Sequence, residues 1–239
     1  MKGVILAGGL GTRLYPLTYA TNKHLLPVYD QPMIFYPIQT LVQAGITEIL
    51  IVTGGIHAGH FMGVLRNGKD LGISHLEFAY QENEGGIAEA LSLAEDFADG
   101  EPVAVILGDN TTDADISSAV KNFTDGAVMF IKKVPDPERY GVPVFSGKKI
   151  IHIEEKPKKP KSSFAVTGLY IYDNQVFGII KTLKPSARGE LEITDVNNAY
   201  IKMGEMQWQE FKGFWTDAGK FETLFAANYY WAKKKISTS

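Results

Sequence analysis

"KGVILAGGLGTRLYP" occupies residues 2–16, and its reading decides the fold. The apolar run Val4-Ile5-Leu6-Ala7 leads straight into glycines. Such a run fits a strand covered on both faces, as strands of parallel sheets are. A glycine-rich loop at the carboxyl end of that strand stands where open α/β sheets bind ligands. Glycine lets backbone N–H groups approach an oxyanion. Neither common phosphate loop is matched. A P-loop needs G-x-x-x-x-G-K-[ST], and no lysine stands at the required place. The dinucleotide pattern G-x-G-x-x-G fits Gly9 and Gly11 but finds Leu14 at its third glycine. The loop ends instead in Thr12 and Arg13, a hydroxyl and a fork of guanidinium donors. Lys23, in "NKHLLPV", supplies a second cation. An arginine and a lysine converging there would suit charge on a reacting phosphoryl group. Spacing alone also allows both to be solvated loop residues.

Outward from that loop, 48–53, 76–80, 102–108 and 126–134 read as further buried strands. Helical stretches fall between them, at 32–45 and 85–100. Pro37 should kink or restart the first of these. Alternation of strands and helices predicts right-handed βαβ units and a mainly parallel sheet. The second half changes texture. Residues 141–157 read as a hairpin about Ser146-Gly147, 156–163 as a basic proline-rich loop, and 164–173 as another strand. Two helices are expected near 190–204 and 219–235. The expected fold is a single α/β domain over 1–239: a Rossmann-like mixed, mainly parallel sheet, helices on both faces, and a sugar-side extension. Its nucleotide-binding half would be roughly 1–135 and its sugar-phosphate-binding half 136–239.

Composition narrows the class. The 239 residues are 45% hydrophobic and 21% charged, ordinary for a globular protein. A net charge of −3 argues against a nucleic-acid partner. Absence of cysteine excludes disulfides and thiolate catalysis and is compatible with a cytoplasmic location. The apolar stretch before Gly8 is too short for a signal peptide core, and no run approaches a membrane span.

Two carboxylates stand out. Asp109 follows the buried strand in "VILGDN", and Asp217 lies in "WTDAG" before the last helix. Both could share one hard cation, because Mg²⁺ takes one or two carboxylates plus substrate phosphates. Either could equally cap a turn. His57 and His60 are spaced to share a helix face but lack a third ligand, so surface positions are expected.

In order and spacing, "GGLGTRLYPLT", "NKHLLPV", "LGDN", "PERYGV", "EEKP", "AVTGLYIYD", "RGELEITDVN" and "WTDAG" resemble the sugar-1-phosphate nucleotidyltransferases, and among them the glucose-1-phosphate thymidylyltransferases. The similarity covers nearly the whole chain. It implies dTTP and glucose 1-phosphate as substrates, Mg²⁺ as cofactor, no nucleic-acid or membrane partner, and a homo-oligomer. It implies Arg13 and Lys23 as catalytic cations and Asp109 and Asp217 as metal ligands. The nucleotide would be bound by Leu6, Gly8, Gly9, Gly11, Thr12, Arg13, Gln81, Gly86 and Asp109. The sugar phosphate would be bound by Tyr140, Gly141, Glu155, Lys156, Val166, Arg188 and Thr194. Lys156 precedes Pro157, so an extended backbone is expected there. The attacking phosphate oxygen is already an anion, so neither a general base nor a side-chain nucleophile is required. The chemistry reduces to alignment and charge neutralisation in a single in-line displacement.

Three positions depart from the family pattern. Gln31 stands where lysine is usual, 110–116 lacks bulky residues, and Glu89 stands where glutamine is usual. The chain also ends soon after the last helix, where many longer relatives continue into an assembly and regulatory segment. Three rival readings are the same chemistry with UTP or CTP, a dinucleotide-dependent oxidoreductase, and a non-catalytic relative. The missing third glycine speaks against the second. Arg13, Lys23, Asp109 and Asp217, all present, speak against the third.

Overall fold

In the computed structural model, which describes residues 1–237, the run behind the glycine loop forms the strand Lys2–Ala7 at the centre of a seven-stranded sheet. Across the sheet the order is Met206–Glu210, Ala127–Lys133, Phe164–Tyr172, Val103–Leu107, Lys2–Ala7, Glu48–Gly54 and His75–Gln81. Phe164–Tyr172 runs antiparallel to both of its neighbours, and every other pairing in the sheet is parallel. The mixed, mainly parallel sheet expected from the sequence is therefore present.

Apolar runs at the centre of the sheet are explained by its two covered faces. Val4, Leu6, Val103 and Val105 point into one core with the helices Ile87–Ser92, Gln175–Thr182 and Ile193–Met203. Ile5, Ala7, Ala104 and Ile106 point into the other, under Phe35–Gln43, Ala58–Leu65 and Ser117–Asn122. Alternation within one continuous apolar strand thus feeds two cores. A third, smaller core lies beneath the last helix, Phe221–Ile236, and contains Leu14, Met33, Tyr36 and Leu224. Leu14, which fills the third glycine position of the dinucleotide pattern, is fully buried there and anchors the end of the loop.

Several expectations need correction. Pro37 neither kinks nor restarts a helix, because the helix begins at Phe35. The proline then falls in the first turn, where an N–H would have no intrahelical acceptor anyway. His75–Gln81 is an edge strand with exposed and half-buried positions, so it is not covered on both faces. The stretch 85–100 splits into Ile87–Ser92 and Glu95–Ala98. Met206–Glu210 is an additional strand that its polar sequence did not suggest. No helix among the described residues is long and apolar enough to cross a membrane.

Candidate active site

Parallel strands deliver their carboxyl ends to one edge of the sheet, and a cleft of about 540 Å³ opens there. Its wall contains every residue singled out above for nucleotide, sugar phosphate and metal, from Leu6 in the first strand to Asp217 near the last helix. The glycine loop forms one side. Gly9 and Gly11 have φ of 90° and 65°, values that side chains disfavour, and Gly11 opens the short turn Thr12–Leu14 that presents Arg13. A methyl group on Gly8 would lie 2.5 Å from Gln81 Oε1, so glycine at this position is what admits the glutamine.

The two carboxylates meet through a local strand pairing. Trp215–Asp217 runs antiparallel to Asn110–Thr112, which sets Asp217 opposite Asn110 and hence beside Asp109. Ala218 N donates to Asp109 O at 2.8 Å and locks the register. A methyl placed on Gly219 would lie 3.3 Å from both Arg13 Nη2 and Asp109 Oδ2, and 3.7 Å from Asp217 Oδ2. Guanidinium and carboxylates thus converge on one point.

Lys23 Nζ donates to Asp109 Oδ2 at 2.6 Å, and Asn110 Nδ2 donates to Oδ1 at 3.1 Å. Burial disfavours the Asp109 anion, but Lys23 and the Asn110 amide outweigh it and hold the carboxyl well below the usual carboxylate range. Asp217 accepts from Tyr140 OH at 2.7 Å and faces Arg139 Nη2 at 3.3 Å. Burial and the adjacent Asp109 charge push Asp217 upward against those partners. A buried carboxylate and a half-buried one that repel one another, both on the cleft wall, form a donor set that fits a hard divalent cation completed by substrate phosphates. His24, fully buried beside them, is pushed down to about 3 by burial and by Lys23, so it is neutral at ordinary pH. Its ring Nδ1 is 2.7 Å from Asn22 Oδ1.

The opposite side of the cleft comes from the second half of the chain. The hairpin Gly141–Ser146 and Lys149–Glu155 contributes Gly141 and Glu155. Thr194 Oγ1 donates to Glu155 Oε2 at 2.6 Å. Arg188 faces three carboxylates: Glu192 at 2.8 Å, and Glu155 and Glu190 at 3.5 Å. Phe164–Tyr172 shifts register between Val166 and Tyr170, a bulge that brings Gly168 and Val166 to the wall. The expectation for Lys156 is overturned. Its φ is 44°, not extended, and its N–H donates to Tyr140 O at 3.0 Å. That hydrogen bond, at the end of the hairpin, holds a conformation that a residue before proline would otherwise avoid.

Some wall residues escaped the sequence reading. Arg139 lies one position before Tyr140 in "PERYGV", and only its pairing with Asp217 marks it. Asn110 is 2% exposed and accepts from Trp215 Nε1 at 2.7 Å and Gly168 N at 3.1 Å, so it fixes three segments around Asp109. Its place in "LGDN" was the available signal. His57 and His60 lie at the start of Ala58–Leu65, outside the cleft. No group of three or more His, Cys, Asp or Glu among the described residues is arranged to hold a metal by itself.

With this geometry in view, comparisons with known proteins agree over nearly the whole chain. Residues 2–234 match the nucleotidyl transferase family. A glucose-1-phosphate thymidylyltransferase of Neisseria meningitidis is 46% identical, over 95% of this chain and 81% of its own length. One of Mycobacterium tuberculosis is 42% identical over the same shares. Among solved structures, a chain described as a glucose-1-phosphate thymidylyltransferase from Bacillus anthracis, in complex with sucrose, superposes with a TM-score of 0.92 at 52% identity. The match covers 96% of this chain and 94% of that one. A UDP-glucose pyrophosphorylase complexed with UDP-glucose superposes at 0.86 with 26% identity, over 98% of each.

Proposed function

The chain belongs to the nucleotidyl transferase family, and we propose on that premise that it transfers a deoxythymidylyl group from dTTP to glucose 1-phosphate, giving dTDP-glucose and pyrophosphate. One observation carries the reading. A single cleft is lined by Arg13 and Lys23 from the first half of the chain, by Lys156 and Arg188 from the second, and by Asp109 and Asp217. Two anionic substrates face each other across such a cleft, with the metal-binding carboxylates at their junction.

Residues 1–135 form the nucleotide side in this reading, and 136–239 the sugar-phosphate side. The glycine loop N–H groups and Arg13 hold the triphosphate, and Arg13 and Lys23 neutralise charge as pyrophosphate leaves. Gln81 and Gly86 read the base. Tyr140, Gly141, Glu155, Val166 and Thr194 position the sugar, and Lys156 and Arg188 its phosphate. Asp109 and Asp217 would hold Mg²⁺, which when bound supplies polarisation of phosphoryl oxygens. The attacking oxygen arrives ionised, so the wall needs no base, and neutral His24 serves as packing. Tyr140 OH stays protonated, because burial and the Asp217 charge push its ionisation upward, and it therefore donates to that carboxylate.

Thymine and uracil differ by one methyl, worth about 1–3 kcal/mol in an apolar pocket, so UTP is expected as the second substrate. The test is pyrophosphate release from each NTP with glucose 1-phosphate, with and without Mg²⁺. Release with dTTP, less with UTP and little with CTP or purines supports the assignment. Preference for CTP or a purine overturns the base assignment, and no release with any triphosphate overturns the reaction.

A further inference from the structure

We infer that the Tyr140 hydroxyl serves the cation rather than the sugar: it holds Asp217 so that one chosen oxygen, Oδ2, is offered beside Asp109. The inference rests on the metal place proposed for Asp109 and Asp217 above. Tyr140 OH donates to Asp217 Oδ1 at 2.7 Å, so that oxygen is taken. The other oxygen, Oδ2, lies 3.7 Å from a methyl built on Gly219. The remaining close neighbours of that methyl are Asp109 Oδ2 and Arg13 Nη2, each at 3.3 Å. Glycine at 219 thus leaves a space open that is bordered by one oxygen from each carboxylate.

Arg139 does not make this choice of oxygen. Its Nη2 stands 3.4 Å from Oδ1 and 3.3 Å from Oδ2, so it favours neither. Its shorter contact is with Asp136, Nη1 to Oδ2 at 2.6 Å. A carboxylate held by Arg139 alone is free to turn and meet the guanidinium with both oxygens, the geometry that such pairs prefer. Such a turn would take Oδ2 off the space beside Gly219. The short, directed bond from the tyrosine hydroxyl prevents it.

Tyr140 is itself held from several sides. Its ring packs edge-on against Trp215, two residues before Asp217, with centroids 5.6 Å apart. The Arg139 guanidinium lies over the ring at 5.1 Å. Tyr140 N donates to Pro137 O, and Tyr140 O accepts from Lys156 N, both at 3.0 Å. The main chain therefore belongs to the sugar-phosphate side, next to Gly141 and Lys156, while the side chain ends on the carboxylate. A hydroxyl carries one proton, and this one goes to Asp217, so the group has no donor left for a sugar. Tyr140 thus acts through Asp217 as a positioning residue.

The experiment compares wild type with Tyr140→Phe, which removes the hydroxyl and keeps the ring on Trp215. Mn²⁺ binding to each protein, without nucleotide or sugar, is measured from the paramagnetic resonance signal of free Mn²⁺, with Asp217→Asn as the control. Steady-state rates give the Mg²⁺ half-saturation and KM for glucose 1-phosphate. We expect Mn²⁺ affinity to fall about tenfold and the Mg²⁺ half-saturation to rise in step, while KM for glucose 1-phosphate at saturating Mg²⁺ stays within about twofold. A raised KM for glucose 1-phosphate at unchanged Mn²⁺ affinity assigns the hydroxyl to the sugar and overturns the inference. A lowered thermal midpoint with Mn²⁺ affinity unchanged leaves the hydroxyl a structural role only and overturns it too, as does a variant that matches wild type throughout. A wild type that binds Mn²⁺ no better than Asp217→Asn overturns the metal place on which the inference rests.

Discussion

The two sides of the cleft are built differently. On the nucleotide side the binding surface is backbone. It is a loop with Gly9 and Gly11 at positive φ, hung from the strand Lys2–Ala7, buried at the end that meets the loop, and pinned at its far end by buried Leu14. On the sugar side it is side chains. Arg188 sits among Glu155, Glu190 and Glu192, and Lys156 Nζ lies 3.4 Å from Glu155 Oε1. A backbone surface is preorganised and stays in place when one side chain changes. A side-chain surface is held by mutual ion pairs, and a ligand phosphate must compete with carboxylates already in place. The difference predicts that damage on the first side shows in kcat and damage on the second in KM.

The largest effect should come where the sides meet. Asp109→Asn is expected to lower kcat about a thousandfold, because it weakens a metal ligand and strips charge from the Lys23 pair. Asp217→Asn should approach this loss. Asp109→Asn should also lower the thermal midpoint more, since Lys23 loses its buried partner whereas Asp217 is shared by Tyr140 and Arg139. Steady-state rates over a Mg²⁺ titration and thermal scans check both. Near-wild-type rates at saturating Mg²⁺ would remove these carboxylates from the metal site.

Next, Arg13→Ala should cost about a hundredfold or more in kcat, with a smaller change in KM for dTTP. A pure KM effect would mean that the backbone side works like the side-chain side, and the contrast would fail. Arg188→Ala should do the opposite. KM for glucose 1-phosphate should rise about tenfold while KM for dTTP holds, the size expected for one charge-assisted contact. Lys156→Ala should do the same less strongly, its side chain being 49% exposed. A fall in kcat at unchanged KM would put Arg188 in the reacting charge network.

The same contrast explains what was legible in the sequence. Burial on both faces writes itself as apolar runs, so 2–6, 102–108 and 126–134 were read as strands, and Gly9-Leu10-Gly11-Thr12-Arg13 marked the loop. Met206–Glu210 reads Met-Gln-Trp-Gln-Glu, edge residues with no apolar run, and only pairing with Ala127–Lys133 makes it a strand. Partnerships among side chains were equally silent. Nothing in one dimension sets Arg139 on Asp217 or Thr194 on Glu155 as parts of one wall. The backbone of Lys156 was misjudged because a local rule before proline yields to a hydrogen bond closed sixteen residues back, at Tyr140.

The smallest effect should come from the frame beneath both sides, and there pH is the probe. Asp113 ties the segment leading to Asp217 onto the last helix. Its Oδ1 accepts from Phe214 N at 2.7 Å, and its Oδ2 accepts from Tyr230 OH and from Lys234 Nζ at 2.7 Å. Phe214 and Tyr230 stack with ring centroids 3.9 Å apart. Burial raises the Asp113 carboxyl, but the contacts with Lys234, Tyr230 and Phe214 prevail and lower it from its ordinary value of 3.8. A carboxyl lowered by folding stabilises the fold fully above the unfolded value. That stabilisation disappears as pH falls through the folded value. Asp113→Asn should therefore cost about 1–3 kcal/mol at pH 7, a drop of a few degrees in the thermal midpoint. The gap to wild type should narrow as pH falls below 4, where both side chains become neutral. At pH 7, kcat and both KM values should stay near wild type, because Asp113 lies outside the cleft wall. A midpoint gap that is constant with pH would mean that the aspartate acts by packing and not by charge. A large loss of kcat would mean that the frame, and not the wall alone, sets the position of Asp217.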